Sequence, residues 1–344
     1  MKGEVLMKWF FCWCQDSDFR DDHNWKDLIR VSVESALKNT SLEPNFIYDG
    51  EPSDFTDELA RKGVKIIYHR LSFTKGIVAH SPNDKSYQAI ARGAFLRFDI
   101  PKFVTKEDGY VLYTDADVMF LKDEKFEGYR PNLIAAAPQF AQGNRDDFNS
   151  GVMLINTREF SRIYDQLITF TLKHLHLGLD QEVLRVFLGH DYLLLPDALN
   201  WKPYWGIKRD AAIIHWHGPK PETVGHLLRG RSDTNQSWRS LFDRNPAAYE
   251  YYHSLQKEFL ASYKGLSSER PILKENAFVE QSMSNWVPIE QLPPGTYERQ
   301  MVVIKRLFVS APIAVFWFNG AWIYPPHWDD FPGEKATHFK FSDS

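Results

Sequence analysis

Cysteine is nearly absent: the 344 residues contain two, Cys12 and Cys14. Two positions apart on a strand they share a face and are poorly placed to form a disulfide. A Cys-x-Cys pair without further cysteines is also a weak metal pattern, which leaves them as reduced core residues. No apolar run approaches the ~18 residues needed to span a bilayer. The apolar stretch 5–13 is interrupted by Lys8 and has no small-residue cleavage site, so it reads as a buried strand and not as a secretion signal. Excess charge of one sign is missing too. Forty-one Lys+Arg against 45 Asp+Glu leave −4, which gives no electrostatic footprint for nucleic acid. There is no internal repeat, no low-complexity segment and no G-x-x-x-x-G-K-[ST] loop, which argues against a P-loop NTPase. The expectation is a soluble, cytoplasmic protein without a transmembrane segment.

What is abundant is aromatic surface. Eleven Trp, 15 Tyr and 25 Phe make up 15% of the chain. Flat rings stack on the apolar faces of sugars, but a densely packed core has the same composition, and composition alone favours the core. With 43% hydrophobic and 25% charged residues the chain can bury a sizeable interior.

The first third alternates strand and helix signals. Residues 4–13 read as a buried strand. Trp25, Leu28, Ile29, Val33, Ala36 and Leu37 then recur at helical spacing. Phe46-Ile47-Tyr48 is a short strand, Ser53 can cap a helix that Gly63 ends, and 64–68 is the next strand. This rhythm predicts an α/β fold with a mostly parallel sheet and helices on both faces, in which ligands sit beyond the carboxyl ends of the strands. A helix over 87–98, a central strand over 110–113, a buried strand over 152–155 and a helix capped by Thr157 follow. Asn245 as cap and Pro246 at the first helical position start a further helix that Gly265 ends. Gln300–Val309 reads as a strand and 315–324 as an Asn-Gly hairpin. The expected organisation is a catalytic domain over 1–225, a helical extension over 226–268 and a small β appendage over 269–344. The ring-rich hairpin with Trp317, Trp322, Tyr324 and Trp328 is expected to pack on the domain, extend an acceptor groove or form a dimer contact.

Asp115-Ala116-Asp117 is the strongest chemical lead. A strand of four apolar-rich residues delivers two carboxylates, one residue apart, to the ligand-binding edge of the sheet. Two hard oxygen donors suit Mn²⁺ or Mg²⁺, with open positions left for substrate phosphates; two solvated turn aspartates would look the same. About a hundred residues further on, Ile213-Ile214 leads into His215-Trp216-His217-Gly218-Pro219-Lys220-Pro221. An imidazole beside two carboxylates favours Mn²⁺ over Mg²⁺. Gly218 lets the backbone approach a phosphate closely, and Lys220 supplies a point charge for a diphosphate.

Four segments in order, Tyr113-Thr114-Asp115-Ala116-Asp117, Phe148-Asn149-Ser150-Gly151-Val152, Leu179-Asp180-Gln181 and the His215–Pro221 stretch, resemble the motifs of family 8 glycosyltransferases. That group contains glycogenin and the bacterial lipopolysaccharide galactosyl- and glucosyltransferases. The resemblance covers roughly residues 5–225. It implies a GT-A (Rossmann-like) fold, a UDP-hexose donor, Mn²⁺ (or Mg²⁺) and transfer with retention of anomeric configuration to a carbohydrate or glycolipid acceptor. It further implies that Asp115, Asp117 and His215 bind the metal, with His217 as the alternative histidine. Asp115, Arg97, Asn149, Ser150, Gly218 and Lys220 would then contact the donor, and Asp180 and Gln181 would stand beside the reacting carbon. This chain has one residue between Gly218 and Lys220 where the family usually has two, and Glu222 where it usually has Trp.

The base pocket is expected beyond the first strand, at positions such as Trp13, Cys14, Gln15 and Asp49. His80, Tyr87, Asn200, Trp201 and Trp205 are acceptor-side candidates. A non-catalytic nucleotide-sugar or carbohydrate-binding protein is the alternative function. Peripheral membrane contact, oligomeric state and the identity of the transferred sugar are not specified by the sequence.

Overall fold

The computed structural model describes residues 6–19, 24–231 and 234–266, together with the backbone of five later strands. Two compact units divide the chain, Met1–Pro271 and Ile272–Ser344. The first opens with β1 (Lys8–Cys14), α1 (Trp25–Asn39), β2 (Glu43–Asp49), α2 (Asp54–Arg61) and β3 (Lys65–Tyr68). These three strands are parallel neighbours, each pair joined through a helix, as the strand–helix alternation predicts. Next come α3 (Thr74–His80), α4 (Lys85–Phe95), β4 (Tyr110–Thr114), β5 (Val118–Phe120), β6 (Ile134–Pro138) and β7 (Phe148–Asn156). The unit continues with α5 (Thr157–Lys173), α6 (Asp180–Leu188), β8 (Leu193–Leu194) and β9 (Ile213–His215). It closes with α7 (Pro221–Leu228), α8 (Gln236–Arg244) and α9 (Pro246–Tyr263).

The main sheet has the order β3-β2-β1-β4-β7-β6-β8. β7 runs antiparallel to both β4 and β6, and the other pairings are parallel. The fold is therefore the α/β, Rossmann-like class, with a mostly parallel sheet covered on both faces. The pleat decides which residue faces which layer. Trp9, Phe11 and Trp13 of β1 pack into one core with Ile29 and Val33 of α1 and Leu59 of α2. Phe10 and Cys12 point the other way, into a second core with Phe95 of α4, Phe160 of α5 and Val183 of α6. A strand buried on both faces reads as a continuous apolar run, which is why β1 shows no polar alternation. Each large side chain withdrawn in this way stabilises by roughly 1.5–3 kcal/mol.

Both cysteines are free and buried, as the sequence suggests. The Ser53 cap holds: its hydroxyl accepts from Thr56 N, and Gly63 takes the left-handed φ of +92° beyond the helix end. Asn245 likewise caps α9, accepting from Ala248 N. The cap of α5 is Asn156, one residue before the expected Thr157, because the amide oxygen of Asn156 can accept from Glu159 N. α9 is tied to the body of the unit by Ser262 Oγ donating to Glu34 Oε1 at 2.7 Å and by Trp216 Nε1 donating to Gln256 Oε1 at 3.3 Å. Among the described residues no helix is long and apolar enough to cross a membrane.

The second unit holds β10 (Val287–Pro288), β11 (Met301–Arg306), β12 (Ile313–Phe318), β13 (Ala321–Ile323) and β14 (Ala336–Phe341), in an antiparallel sheet of order β10-β14-β11-β12-β13. Phe318 pairs with Ala321, the register expected of strands flanking Asn319-Gly320. The roles considered for Trp317, Trp322, Tyr324 and Trp328 concern side chains outside the described residues.

Candidate active site

Strand order reverses between β1 and β4, since β2 and β3 lie on one side and β7, β6 and β8 on the other. Where order reverses, the two neighbouring crossovers leave in opposite directions and a crevice opens at the carboxyl ends of the strands. A cavity of about 330 Å³ occupies that place, lined from β1 by Cys12 and Trp13 and from the end of β4 by Tyr113, Asp115 and Asp117.

Two antiparallel pairings bring the distant motifs here. β7 runs back along β4, so its first residues lie beside the last residues of β4, and Asp115 N donates to Gly151 O at 2.8 Å. Asn149, Ser150 and Gly151 are thus strand residues and not the turn before a strand. The second pairing joins β5 to β9, with Val118 opposite His215 and Trp216 N donating to Asp117 O at 3.0 Å. His215 is placed next to the acidic pair by this three-residue ribbon.

Ligand atoms of Asp115, Asp117 and His215 all lie within 4.8 Å of one another. His215 Nε2 is 3.4 Å from Asp117 Oδ1 and 3.7 Å from Asp115 Oδ2. Separations of this size put the three ligand atoms within reach of one divalent cation. Two carboxylate oxygens and an imidazole nitrogen form a donor set for a divalent cation. Gly151 is required beside them. A Cβ there would meet His215 Cε1 at 2.2 Å and Asp115 Oδ2 at 2.8 Å.

Asp117 is not a solvated turn residue. It is 3% exposed, and Lys220 Nζ donates to its Oδ2 as well as to Trp216 O. Burial pushes its carboxyl up, but the Lys220 ammonium and the His215 ring beside it outweigh burial and hold it well below the usual carboxylate range. His217 lines the same cavity but is turned away from the acidic pair. Its Nδ1 lies 3.1 Å from the Tyr204 hydroxyl and its ring packs on Phe140, and burial keeps it neutral. Of the two histidines, His215 is the one grouped with the carboxylates.

Arg97 follows α4 in a 3₁₀ stretch and is buried against the cavity. Its guanidinium donates to Asp115 Oδ1 at 2.8 Å and to Ser150 O at 2.9 Å, and sits 3.0 Å from Asp180 Oδ2. Burial opposes its charge, and Asp115 and Asp180 more than restore it. It also lies 4.4 Å over the Tyr113 ring, whose hydroxyl donates to Asp115 Oδ1 at 2.9 Å.

Asp180, in the first turn of α6, accepts from Ser150 Oγ at 2.8 Å and does not cap its own helix. Burial raises its carboxyl to about 6, with Arg97 pulling it back only in part. Gln181 Oε1 accepts from Asn149 Nδ2 and Ser150 N, both at 3.0 Å, and its amide nitrogen donates to Gln139.

Gly218 has the left-handed φ of +95° that favours glycine, yet it is not among the cavity-lining residues. Of the base-pocket candidates only Trp13 lines the cavity. The Gln15 Oε1 accepts from Tyr48 OH and Glu51 N, and Asp49 sits beside Arg92. His80 and Tyr87 pack on each other with ring centroids 5.8 Å apart, Trp201 is buried, and Trp205 Nε1 donates to Phe140 O. Asn200 is fully buried behind His215, bonded to its Nδ1 at 3.0 Å, and faces no acceptor space. Its position 15 residues before His215 carries no sequence signal for that contact.

No family model and no curated protein matches the sequence. Solved structures similar in fold include the apo-form glycosyltransferase GlyE of Streptococcus pneumoniae TIGR4, at 17% identity and TM-score 0.48, covering 79% of this chain and 66% of GlyE. The galactosyltransferase LgtC, in complex with donor and acceptor sugar analogs, gives 16% identity and TM-score 0.48, covering 68% of this chain and all of LgtC. Mouse xyloside xylosyltransferase 1 gives 16% identity and TM-score 0.44, covering 61% of this chain and 97% of that enzyme.

Proposed function

We propose that the protein is a metal-dependent retaining glycosyltransferase that moves a hexose from a UDP-sugar to a hydroxyl of a glycan or glycolipid acceptor. The observation that carries this reading is the convergence of Asp115, Asp117 and His215, from two distant parts of the chain, on one cavity at the point where strand order reverses. The order of the four motifs, which resembles that of family 8 glycosyltransferases, supports it.

The donor set fits Mn²⁺, and a cation held there would neutralise the negative charge that develops on the departing diphosphate. Lys220, ion-paired with Asp117, adds a positive charge on the same side. Asp180, Gln181, Asn149 and Ser150 line the cavity with these groups. As the bond to phosphate breaks, the anomeric carbon becomes cationic, and a carboxylate at Asp180 stabilises that charge. Arg97 fixes Asp180 and Asp115 in place at once, so the sugar-side and metal-side walls share one rigid strut. Asp180 donates no electron pair in a bond-forming step here; the acceptor hydroxyl attacks the anomeric carbon while its proton passes to the departing phosphate.

The test is a panel of UDP-hexoses assayed for hydrolysis and transfer with Mn²⁺ and with EDTA. Turnover of one or more donors that disappears in EDTA supports the proposal. Donor binding with no turnover under any metal would make the protein a nucleotide-sugar-binding module instead.

A further inference from the structure

The side-chain amides of Asn149, Gln181 and Asn200 admit a single orientation, and that orientation fixes which nitrogen of His215 carries a proton. A backbone N–H can only donate. Gly151 N donates to the Asn149 side chain at 3.2 Å, so the Asn149 atom facing it is Oδ1. Ser150 N donates to the Gln181 side chain at 3.0 Å, which identifies that atom as Oε1, and Asn149 Nδ2 donates to the same oxygen. Asn200 meets Asn149 Oδ1 at 2.9 Å and must present its nitrogen there. Its remaining atom, Oδ1, then faces His215 Nδ1 at 3.0 Å. A carbonyl oxygen has only lone pairs to offer, so the ring nitrogen opposite it bears the hydrogen.

We propose that Asn200 is a positioning residue that holds His215 as its Nδ1–H tautomer and thereby keeps the Nε2 lone pair aimed at the space between Asp115 and Asp117. The alternative tautomer is the one the carboxylates themselves invite. With Nε2 3.4 Å from Asp117 Oδ1, a proton on Nε2 would form a hydrogen bond to that oxygen and close the ring nitrogen to a cation. Asn200 opposes this from behind. It is fully buried and does not line the cavity, so it acts only through the ring it holds. Metal-binding histidines depend on such a partner for the second ring nitrogen, and loss of the partner typically weakens metal binding by about 10–100-fold.

The inference rests on the metal reading of the triad, and the experiment separates the two. In protein labelled with ¹⁵N-histidine and kept free of metal, long-range ¹H–¹⁵N correlations report the tautomer directly. Wild-type His215 is expected to carry its proton on Nδ1, and Asn200→Leu to move it to Nε2. Mn²⁺ binding, followed by the EPR signal of the free ion without nucleotide sugar, is expected to weaken about 10–100-fold in Asn200→Leu. The tautomer readout separates positioning from packing, because loss of packing alone would not move the proton from Nδ1 to Nε2. The proposal is overturned by a wild-type proton on Nε2, by a folded Asn200→Leu protein with wild-type Mn²⁺ affinity, or by one whose His215 proton stays on Nδ1. A wild-type proton on Nδ1 with no uptake of Mn²⁺ would uphold the tautomer and its cause while overturning the metal reading beneath it.

Discussion

Asp180 makes the site expensive to keep folded, and the cost can be read from pH. Its carboxyl is raised from 3.8 to about 6 by burial, with the attraction of Arg97 already included. One unit corresponds to about 1.4 kcal/mol, so holding the ionised group inside costs about 3 kcal/mol. The sign follows from the raised folded value: the native protein holds this proton more tightly than the unfolded chain does. Wild-type stability from this group is therefore fully present below about pH 3.8, falls as pH rises from there through 6, and stays low at neutral pH. Asp180→Asn cannot ionise. Its stability relative to wild type should increase by about 2.4 kcal/mol between pH 4 and pH 7.5, which for a unit of this size is roughly 5–10 °C in Tm. Taking the difference between two pH values cancels whatever the amide itself does to the bonds with Ser150 and Arg97. Calorimetry or denaturant melts of both proteins in EDTA measure it, and the same substitution should lower turnover of a UDP-sugar. Parallel pH–stability curves would refute the argument that burial dominates at Asp180.

Three further substitutions probe the same geometry. Gly151→Ala drives a methyl into His215 and Asp115, and is expected to destabilise by about 1–3 kcal/mol and to abolish Mn²⁺ uptake, measured by melting and by EPR. Arg97→Met leaves Asp115 and Asp180 without their shared cation and should cost about 3–5 kcal/mol in denaturant unfolding; a loss below 1 kcal/mol would show that the strut is dispensable. Gln181→Ala is expected to keep measurable transferase activity, because no bond forms to its side chain; an inactive variant with normal donor binding would favour a covalent route.

The sheet and its helices were legible because local signals agree with the tertiary arrangement. The unbroken apolar run of β1 fits a strand covered on both faces, and the Ser53 and Asn245 caps mark helix starts with their own side chains. Asp115 and Asp117 stood out for the same reason, as two carboxylates ending an apolar strand. Less visible were the elements whose partners are remote. The three-residue strands β5 and β9 pair with each other, and Asn149-Ser150-Gly151 extends β7 because β6 pairs with its start, Ala137 opposite Asn149, and Asp115 N donates to Gly151 O. A turn-like triplet gives no hint of that. Asn200 was the hardest to place, since an asparagine in a 3₁₀ turn looks the same exposed or buried, and its contact with His215 depends on the packing of β9 against that turn. Gly218 fits a backbone requirement and not the expected cavity wall.

The most direct trial of the whole account is equilibrium Mn²⁺ binding to wild type and to Asp115→Ala, Asp117→Ala and His215→Ala, each first shown to be folded. One ion per wild-type chain, with affinity lost in all three variants, is the predicted result. Wild-type affinity surviving in any two of them would mean that these side chains do not share a cation, and the transferase mechanism built on them would fall.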